Sequence, residues 1–341
     1  MLSFESDYIQ GAHEVVLRRL CETNLECLSG YGEDKYCKLA KEKIKCVCGV
    51  SDADVYFLVG GTQTNQIVID TMLDDCEGVV CVNSGHINTH EAGAIEFTGH
   101  KVITLEHSSG KMRPDVLLEY LEDHFNDDNH THAVFPGMVY ISHPTEYGTL
   151  YSLSELSEIS SICKRFNIPL YMDGARLGYA VTCNGTDVTI KDIANLCDMF
   201  YIGGTKVGAL CGEAVVFSKN NAPSHFFTKI KQHGALLAKG RLLGIQFDTL
   251  FTDNLYFKIG RHAIEMADKM RKLFSDKGYE FFIETITNQV FVILNKEQYN
   301  RLSKQVSFGF WECIDDQKTV VRFATSWATT QSDLDKLAKI L

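Results

Sequence analysis

A lysine and an aspartate, each placed at the end of an apolar segment, are the residues of this chain best suited to cofactor chemistry. Residues 199–202 run through two glycines into Thr205 and Lys206, and another apolar segment ends at Asp173, with Arg176 three positions later. Desolvation among apolar and small residues lowers the pKa of a lysine, as an amine that forms a Schiff base requires. Asp173 suits the protonated nitrogen of a heterocycle; the alternative is a structural ion pair with Arg176. Thr205 precedes the lysine, which is the reverse of a nucleotide P-loop and argues against an NTPase.

A glycine-rich turn follows the strand predicted at 54–59 and leads into a helix predicted near 64–73. Its residues Gly60, Gly61 and Thr62 would bring backbone N–H groups and a helix N-terminus close to an anion. The turn therefore predicts a phosphate site, with an ordinary strand-to-helix turn as the alternative. The dinucleotide pattern G-x-G-x-x-G is not spelled here.

Two histidines and an arginine complete the set of candidate residues. His86 and His90 follow a strand predicted at 78–82, where an imidazole suits stacking on a flat ring or proton transfer. They are four residues apart, yet no third ligand or H-E-x-x-H order accompanies them, so no metal site is predicted. Arg322 lies in an otherwise apolar strand and suits bidentate binding of a carboxylate; a plain edge-strand residue is the alternative.

Short β-branched segments alternate with helical stretches from about residue 54 onwards. This pattern predicts an α/β fold with a mostly parallel sheet covered on both faces, and ligands then bind beyond the carboxyl ends of the strands. After about residue 275 the pattern becomes strand-rich. We predict an N-terminal helical arm at 1–45, a large α/β domain at 46–260 and a small α+β domain at 261–341. The strands are predicted at 54–59, 78–82, 101–105, 139–142, 169–172, 199–202, 289–294, 307–313 and 318–323.

Composition excludes several classes of protein. The 341 residues carry a net charge of -11 without a long basic run, so no nucleic-acid partner is expected. The N-terminal segment is acidic where a signal peptide is basic, and no apolar run approaches the roughly 18 residues of a membrane span, so no membrane partner is expected. Twelve cysteines without a C-x-x-C pair predict free thiols and a reducing cytoplasm.

The order of these features resembles that of the pyridoxal-phosphate (PLP) enzymes of fold type I. Within them it is similar to the threonine aldolase and β-eliminating lyase family. The resemblance runs nearly end to end and rests on Ser6 and Asp7, residues 31–34, Gly60 to Thr62, His86 with Glu91, the loop 143–149, residues 173–176, Lys206 and Arg322.

The resemblance implies PLP as cofactor and a role for each candidate residue. Lys206 would form the Schiff base, Asp173 would bind the pyridine nitrogen, and His86 would stack on the ring. The family's sites are shared within dimers or tetramers, which implies a homo-oligomer. The remaining implied roles are phosphate and cofactor binding by Gly60, Gly61, Thr62 and Thr205, substrate carboxylate binding by Ser6, Arg176 and Arg322, and contacts across subunits by Tyr31, Lys239 and Arg241.

The activity implied is retro-aldol cleavage of L-threonine or L-allo-threonine to glycine and acetaldehyde. His86 or His90 would accept the proton of the β-hydroxyl group. No run of exposed aromatic residues predicts a large pocket for an indole or phenol. β-Elimination, decarboxylation or racemisation of another amino acid remain alternatives, as does a catalytically silent protein of the same fold.

Overall fold

The computed structural model describes residues 2–341, and its helices flank two main sheets. The helices are α1 (Glu14–Glu22), α2 (Lys35–Cys48), α3 (Gly61–Met72), α4 (His86–Thr89), α5 (Ala94–Phe97), α6 (Pro114–Asn126), α7 (Leu153–Arg165), α8 (Leu177–Ala180), α9 (Ile190–Leu196), α10 (Phe226–Gln232), α11 (Arg241–Leu250), α12 (Leu255–Asp276), α13 (Lys296–Leu302) and α14 (Gln331–Ile340).

The fifteen strands of residues 2–341 include all of the predicted ones, of which 307–313 is divided in two, and five that were not predicted. They are β1 (Leu2–Ser3), β2 (Asp54–Leu58), β3 (Glu77–Val82), β4 (Lys101–Leu105), β5 (His107–Ser108), β6 (Lys111–Met112), β7 (Phe135–Ser142), β8 (Leu170–Asp173), β9 (Met199–Gly203), β10 (Glu213–Phe217), β11 (Glu280–Ile283), β12 (Gln289–Asn295), β13 (Val306–Ser307), β14 (Gly309–Cys313) and β15 (Lys318–Ala324).

The large sheet has the strand order β2-β10-β9-β8-β7-β3-β4. Its strands are parallel except for β10, which runs antiparallel to both β2 and β9. This confirms the predicted α/β fold with a mostly parallel sheet. Strand β10 was not predicted. Because it runs in the opposite direction, its first residue, Glu213, pairs with Leu58 and Gly203 at the edge where the neighbouring parallel strands end.

Both faces of the large sheet are covered by helices. Along β8, Leu170 and Met172 belong to one apolar core, whereas Tyr171 belongs to the core on the opposite face. Residues of α7 such as Ile159 pack in the first core, and residues of α3 such as Ile67 pack in the second. Because helices cover both faces of the sheet, side chains on both sides of each strand are buried, and the strands are therefore almost continuously apolar in sequence.

The small C-terminal domain is an antiparallel sheet of order β11-β12-β15-β14, with α12 and α14 packed in its core. Strand β1 pairs in parallel with β13, so the N-terminal segment contributes a strand to this part of the structure. The same segment also contains the helices α1 and α2. Helix α2 crosses the predicted boundary at residue 45 and α12 crosses the one at 260. The predicted division of the chain into three parts stays a prediction.

Two further features concern residues 2–341 as a whole. None of the helices in this range is long and apolar enough to cross a membrane. The same residues form no group of three or more histidine, cysteine, aspartate or glutamate side chains arranged to hold a metal ion.

Candidate active site

Two adjoining cavities lie at the carboxyl edge of the large sheet. The inner cavity, of about 400 Å³, reaches the glycine turn and Asp173. The outer cavity, of about 750 Å³, opens toward β14 and β15 of the small domain. Six residues line both cavities: Tyr8, His86, His90, Glu146, Arg176 and Lys206. The structure therefore brings both histidines, the lysine and one arginine together, as the sequence analysis expected.

Asp173 ends β8 and is buried, with both carboxylate oxygens hydrogen-bonded. Tyr201 donates to Oδ1 at 2.5 Å and Tyr140 donates to Oδ2 at 2.7 Å, and Asn65 also donates to Oδ2, at 3.0 Å. Burial alone would raise the pKa of Asp173, but positive charge on His86 and these hydrogen bonds lower it below its ordinary value. A buried, ionised carboxylate at this position suits a cationic ring nitrogen.

A chain of hydrogen bonds links Asp173 to His86. Asn65 on α3 donates through Nδ2 to both Asp173 and Glu91, the latter at 2.7 Å. Glu91 Oε1 also lies 2.7 Å from His86 Nδ1. Because a carboxylate accepts, this contact assigns the Nδ1 proton to His86 and fixes the orientation of the imidazole.

Lys206 follows the end of β9 and faces both cavities. Its Nζ lies 5.9 Å from the ring centroid of Tyr8. Burial, followed by the positive charge of Arg176, lowers the pKa of Lys206 to about 8, although Asp7 and Asp173 oppose that shift. The lysine thus has an unprotonated fraction near neutral pH, as a nucleophilic amine requires.

Glu213 brings a further carboxyl group to the inner cavity. Its Oε2 accepts a hydrogen bond of 3.2 Å from the backbone N–H of Gly204. Burial raises the pKa of Glu213 to about 8, while Thr205 and Lys206 oppose that rise. The group therefore lies beside Lys206 as a carboxyl that holds its proton at neutral pH.

The glycine turn at the end of β2 is shaped to receive an anion. Gly60 is the N-cap of α3 and supplies no side-chain cap, so the first N–H groups of this helix lack that partner. A Cβ atom at Gly60 would meet nothing within 4 Å, whereas one at Gly61 would lie 3.2 Å from the Tyr201 hydroxyl. Gly60, Gly61 and Thr62 all line the inner cavity, and this geometry fits an anion there; the phosphate site stays a prediction.

Arg176 pairs with Asp7 rather than with Asp173. Its Nε donates to Asp7 Oδ2 at 2.7 Å and a terminal nitrogen donates to Oδ1 at 3.0 Å. Asn288 donates to the same carboxylate at 2.9 Å. Burial alone would raise the pKa of Asp7, but the charges of Arg176 and Lys206 and these hydrogen bonds lower it to about 2. The alternative of a structural Asp173–Arg176 pair is therefore wrong.

Arg322 on β15 lines the outer cavity but not the inner one, and it is mostly buried. Gln289 accepts a 3.1 Å hydrogen bond from it, while its Nε is buried without a partner. Burial and the charge of Arg176 lower its pKa. Two guanidinium groups facing one cavity, one with an unpartnered N–H, favour binding of a carboxylate. Ser6 is buried and lines neither cavity; its hydroxyl is without a partner in residues 2–341, and its substrate contact stays a prediction.

Tyr31, Lys239 and Arg241 lie away from both cavities of their own chain. Arg241 donates to the backbone carbonyls of Thr23 and, at 2.6 Å, Glu26, so its guanidinium is held within the chain. Tyr31 is 46% exposed and Lys239 is exposed as well. The predicted contact of these residues with a neighbouring subunit's site stays a prediction.

Comparison with known proteins agrees with this geometry. Residues 4–297 match the beta-eliminating lyase family. The chain belongs to this family. A threonine aldolase of Leishmania major is 39% identical, with a TM-score of 0.96 over 100% of this chain and 98% of that one. A low specificity L-threonine aldolase of a Pseudomonas species is 29% identical over 318 residues, 90% of this chain and 88% of that protein. An aspartate aminotransferase of Thermus thermophilus shares the fold, at 14% identity, with a TM-score of 0.68 over 100% of this chain and 92% of that one.

The beta-eliminating lyase fold is that of fold type I, and its cofactor is PLP. The inner cavity fits this group, since it combines the anion-binding turn, the buried carboxylate of Asp173 and the lysine of lowered pKa. Gly60, Gly61 and Thr62 would hold the phosphate, and Asp173 the ring nitrogen. When bound, PLP supplies an electron sink for a bond broken at the substrate's Cα.

Several site residues of this chain were missed by sequence reasoning or given no role. The sequence carried a signal for Tyr140 and Tyr201, which interrupt the apolar strands β7 and β9 close to their ends. Asp7 is next to the candidate residue Ser6 but was given no role. Glu146 belongs to the loop 143–149, which was named only as part of the family resemblance. The residues in question are Asp7, Asn65, Tyr140, Glu146, Tyr201 and Glu213.

Proposed function

We propose that this chain cleaves L-threonine and L-allo-threonine to glycine and acetaldehyde. The observation that carries the proposal is the outer cavity, in which Arg176 and Arg322 face His86 and His90 with Lys206 beside them. A β-hydroxy amino acid offers a carboxylate for the two arginines and a hydroxyl for a proton acceptor. The Leishmania and Pseudomonas relatives named as threonine aldolases support the same reaction.

The arginines also decide which bond at Cα reacts. A carboxylate held by Arg176 and Arg322 would fix the rotation of the substrate about Cα and so select the Cα–Cβ bond for cleavage. Arg176 is suited to this role because Asp7 holds its guanidinium in one orientation. Ser6 would assist by binding the same carboxylate.

Either histidine suits removal of the β-hydroxyl proton. His86 is oriented by Glu91. Burial, together with the positive charges of His86 and Arg322, lowers the pKa of His90, so that it is neutral and able to accept a proton at pH 7.

The outer cavity also favours tolerance for larger substrates. Its wall includes Tyr147, Phe310 and Trp311, and Tyr147 and Trp311 pack edge to face with ring centroids 5.3 Å apart. Phe310 and Trp311 are adjacent in β14, and Tyr147 joins them through the contact between the loop after β7 and β14, so this aromatic wall was not expected from the sequence. Apolar walls discriminate weakly between side chains, so other β-hydroxy amino acids should react as well.

The location and the subunit assembly of the protein are part of the same proposal. We expect a cytoplasmic homotetramer in which the exposed Tyr31 and Lys239 contact a neighbouring subunit's site. Arg241 would act there indirectly, by holding the loop that carries Tyr31. Sedimentation of the cofactor-loaded protein measures this assembly.

The decisive experiment offers both threonine diastereomers beside tryptophan, tyrosine and cysteine, and measures acetaldehyde, glycine and ammonia separately. Acetaldehyde and glycine in equal amounts are expected from threonine. Ammonia and a keto acid without acetaldehyde would instead assign the chain to the β-eliminating reactions.

A further inference from the structure

Glu146 is the carboxylate shared by the two cavities. It lies in the loop between β7 and α7 and lines the inner and the outer cavity. The other charged residues common to both cavities, Arg176 and Lys206, already have roles in binding the substrate carboxylate and the cofactor. Glu146 therefore borders the place where a bound cofactor and the Cα–Cβ bond of a substrate meet, and it has no role so far.

The Glu146 carboxylate is held in place through one oxygen. Its Oε1 accepts a 2.7 Å hydrogen bond from the Ser142 hydroxyl and a 3.0 Å hydrogen bond from the backbone N–H of His86. Ser142 ends β7 and His86 begins α4, so two elements of the large domain fix the position of this group. Such anchoring is typical of a group that acts in one geometry.

Burial of Glu146 favours proton uptake. Burial raises the pKa of Glu146 above its ordinary value, and the negative charge of Asp173 raises it further. The hydrogen bond from Ser142 and the positive charge of His86 oppose this rise but are smaller than the effect of burial. A carboxylate of raised pKa is a stronger base near neutral pH than an exposed one. His86, in contrast, has one ring nitrogen committed to Glu91 and is expected to stack on the cofactor through its face.

We propose that the Glu146 carboxylate accepts the proton of the substrate's β-hydroxyl group during carbon–carbon cleavage. The inference rests on the proposed aldolase function. The O–H bond breaks, its proton moves to Glu146, and its electron pair forms the second bond of the aldehyde carbonyl. The Cα–Cβ bond breaks at the same time and leaves its electron pair on Cα, which later takes up a proton to give glycine. Glu146 returns its proton to water.

The test compares threonine with glycine, which binds in the same site but has no β-hydroxyl group. Glu146→Gln keeps the size of the side chain and an acceptor for Ser142 and His86, yet it cannot take up a proton. We expect kcat for threonine to fall at least about 100-fold, the range of general base catalysis. The dissociation constant of PLP and the change in cofactor absorbance on glycine titration should stay within about threefold of the original protein.

Three further variants make the result specific. Glu146→Asp keeps a carboxylate and should recover about tenfold in kcat over Glu146→Gln. Glu158→Gln removes an exposed carboxylate of α7 and should leave every parameter unchanged. His90→Asn removes the competing base and should lower kcat less than Glu146→Gln does.

Two results would overturn the assignment. In the first, Glu146→Gln loses the absorbance change with glycine to the same extent as it loses threonine cleavage, which would mean a purely structural role. In the second, the kcat of Glu146→Gln for threonine stays within threefold of that of the original protein. If Glu146→Gln fails to bind PLP, the same two criteria apply to Glu146→Ala, which also lacks the carboxylate. Absence of acetaldehyde from the unmodified enzyme, with a normal glycine response, would instead refute the proposed function and this role with it.

Discussion

Replacing Asp7 by asparagine tests whether the buried ion pair with Arg176 organises the carboxylate-binding end of the site. The pair is almost fully inaccessible to water, and Asn288 completes its hydrogen bonds. Removing one partner leaves the charge of Arg176 buried and unpaired, which costs about 3–5 kcal/mol in comparable pairs. We therefore expect Asp7→Asn to lower the free energy of unfolding by that amount at pH 7 and to raise KM for threonine.

The pH dependence provides an independent check on the same pair. The pKa of Asp7 falls from 3.8 to about 2 on folding, which corresponds to about 2 kcal/mol of stabilisation at neutral pH. Because the folded pKa is the lower one, this stabilisation is present above pH 3.8 and is lost as the pH falls toward 2. About half of this stabilisation should be lost at pH 3. The difference in the free energy of unfolding between the original protein and Asp7→Asn should therefore be about 1 kcal/mol smaller at pH 3 than at pH 7.

The assay is urea unfolding of the cofactor-loaded protein at pH 7 and pH 3, at one protein concentration. Glu280→Gln is the matched control, since Glu280 pairs with Lys318 at 3.1 Å on the surface, where water screens the charges. The control should change the free energy of unfolding little at either pH. A loss below 1 kcal/mol for Asp7→Asn, with no dependence on pH, would refute the reasoning.

Four further predictions concern the inner cavity and the subunit contact. Lys206→Ala should abolish turnover and the cofactor's visible absorption band; steady-state activity near that of the original would contradict the assignment. Asp173→Asn should keep the fold by circular dichroism but lose most turnover, because an amide cannot stabilise positive charge on the ring nitrogen. Glu213→Gln should reduce the loss of thermal stability between pH 5 and 8. The raised pKa of Glu213 means that its stabilisation is present below pH 4.5 and is lost as the pH rises through about 8; equal losses in both proteins would count against it. Lys239→Ala should weaken PLP binding in the oligomer only, and an unchanged dissociation constant by absorbance titration would rule out its contact.

The strands and the chemistry at their ends were predictable because both are local. An apolar run that stops at a polar residue marks a buried strand and its exit, as at β8 and Asp173 or β9 and Lys206. The helix after the glycine turn was predicted on the same grounds. Since parallel strands present their carboxyl ends at one edge, predicting the strands was enough to predict that these residues meet.

Pairing between distant residues was not predictable in the same way. Sequence spacing offered Asp173 as an alternative partner of Arg176, yet the true partner, Asp7, is 169 positions away. Both oxygens of Asp173 are taken by groups from β7, β9 and α3, and this leaves Arg176 to the N-terminal segment. Which of two carboxylates an arginine binds depends on the direction of each side chain, which spacing does not specify.

Strand direction explains why Glu213 was missed and what its position means. In a parallel strand the last residue lies at the edge of the sheet where ligands bind. A search for polar residues that follow apolar segments therefore finds Asp173 and Lys206. The same search misses a polar residue that comes before an apolar segment. In an antiparallel strand the first residue lies at that edge, and Glu213 precedes four apolar residues of β10. Its Oε2 accepts a hydrogen bond from the backbone N–H of Gly204, and the carboxyl group lines the inner cavity together with Thr205 and Lys206. A buried acid next to the lysine is costly unless it keeps its proton or shares the charge of that lysine. The reversal of one strand therefore adds a titratable group to the inner cavity and ties its protonation to that of Lys206.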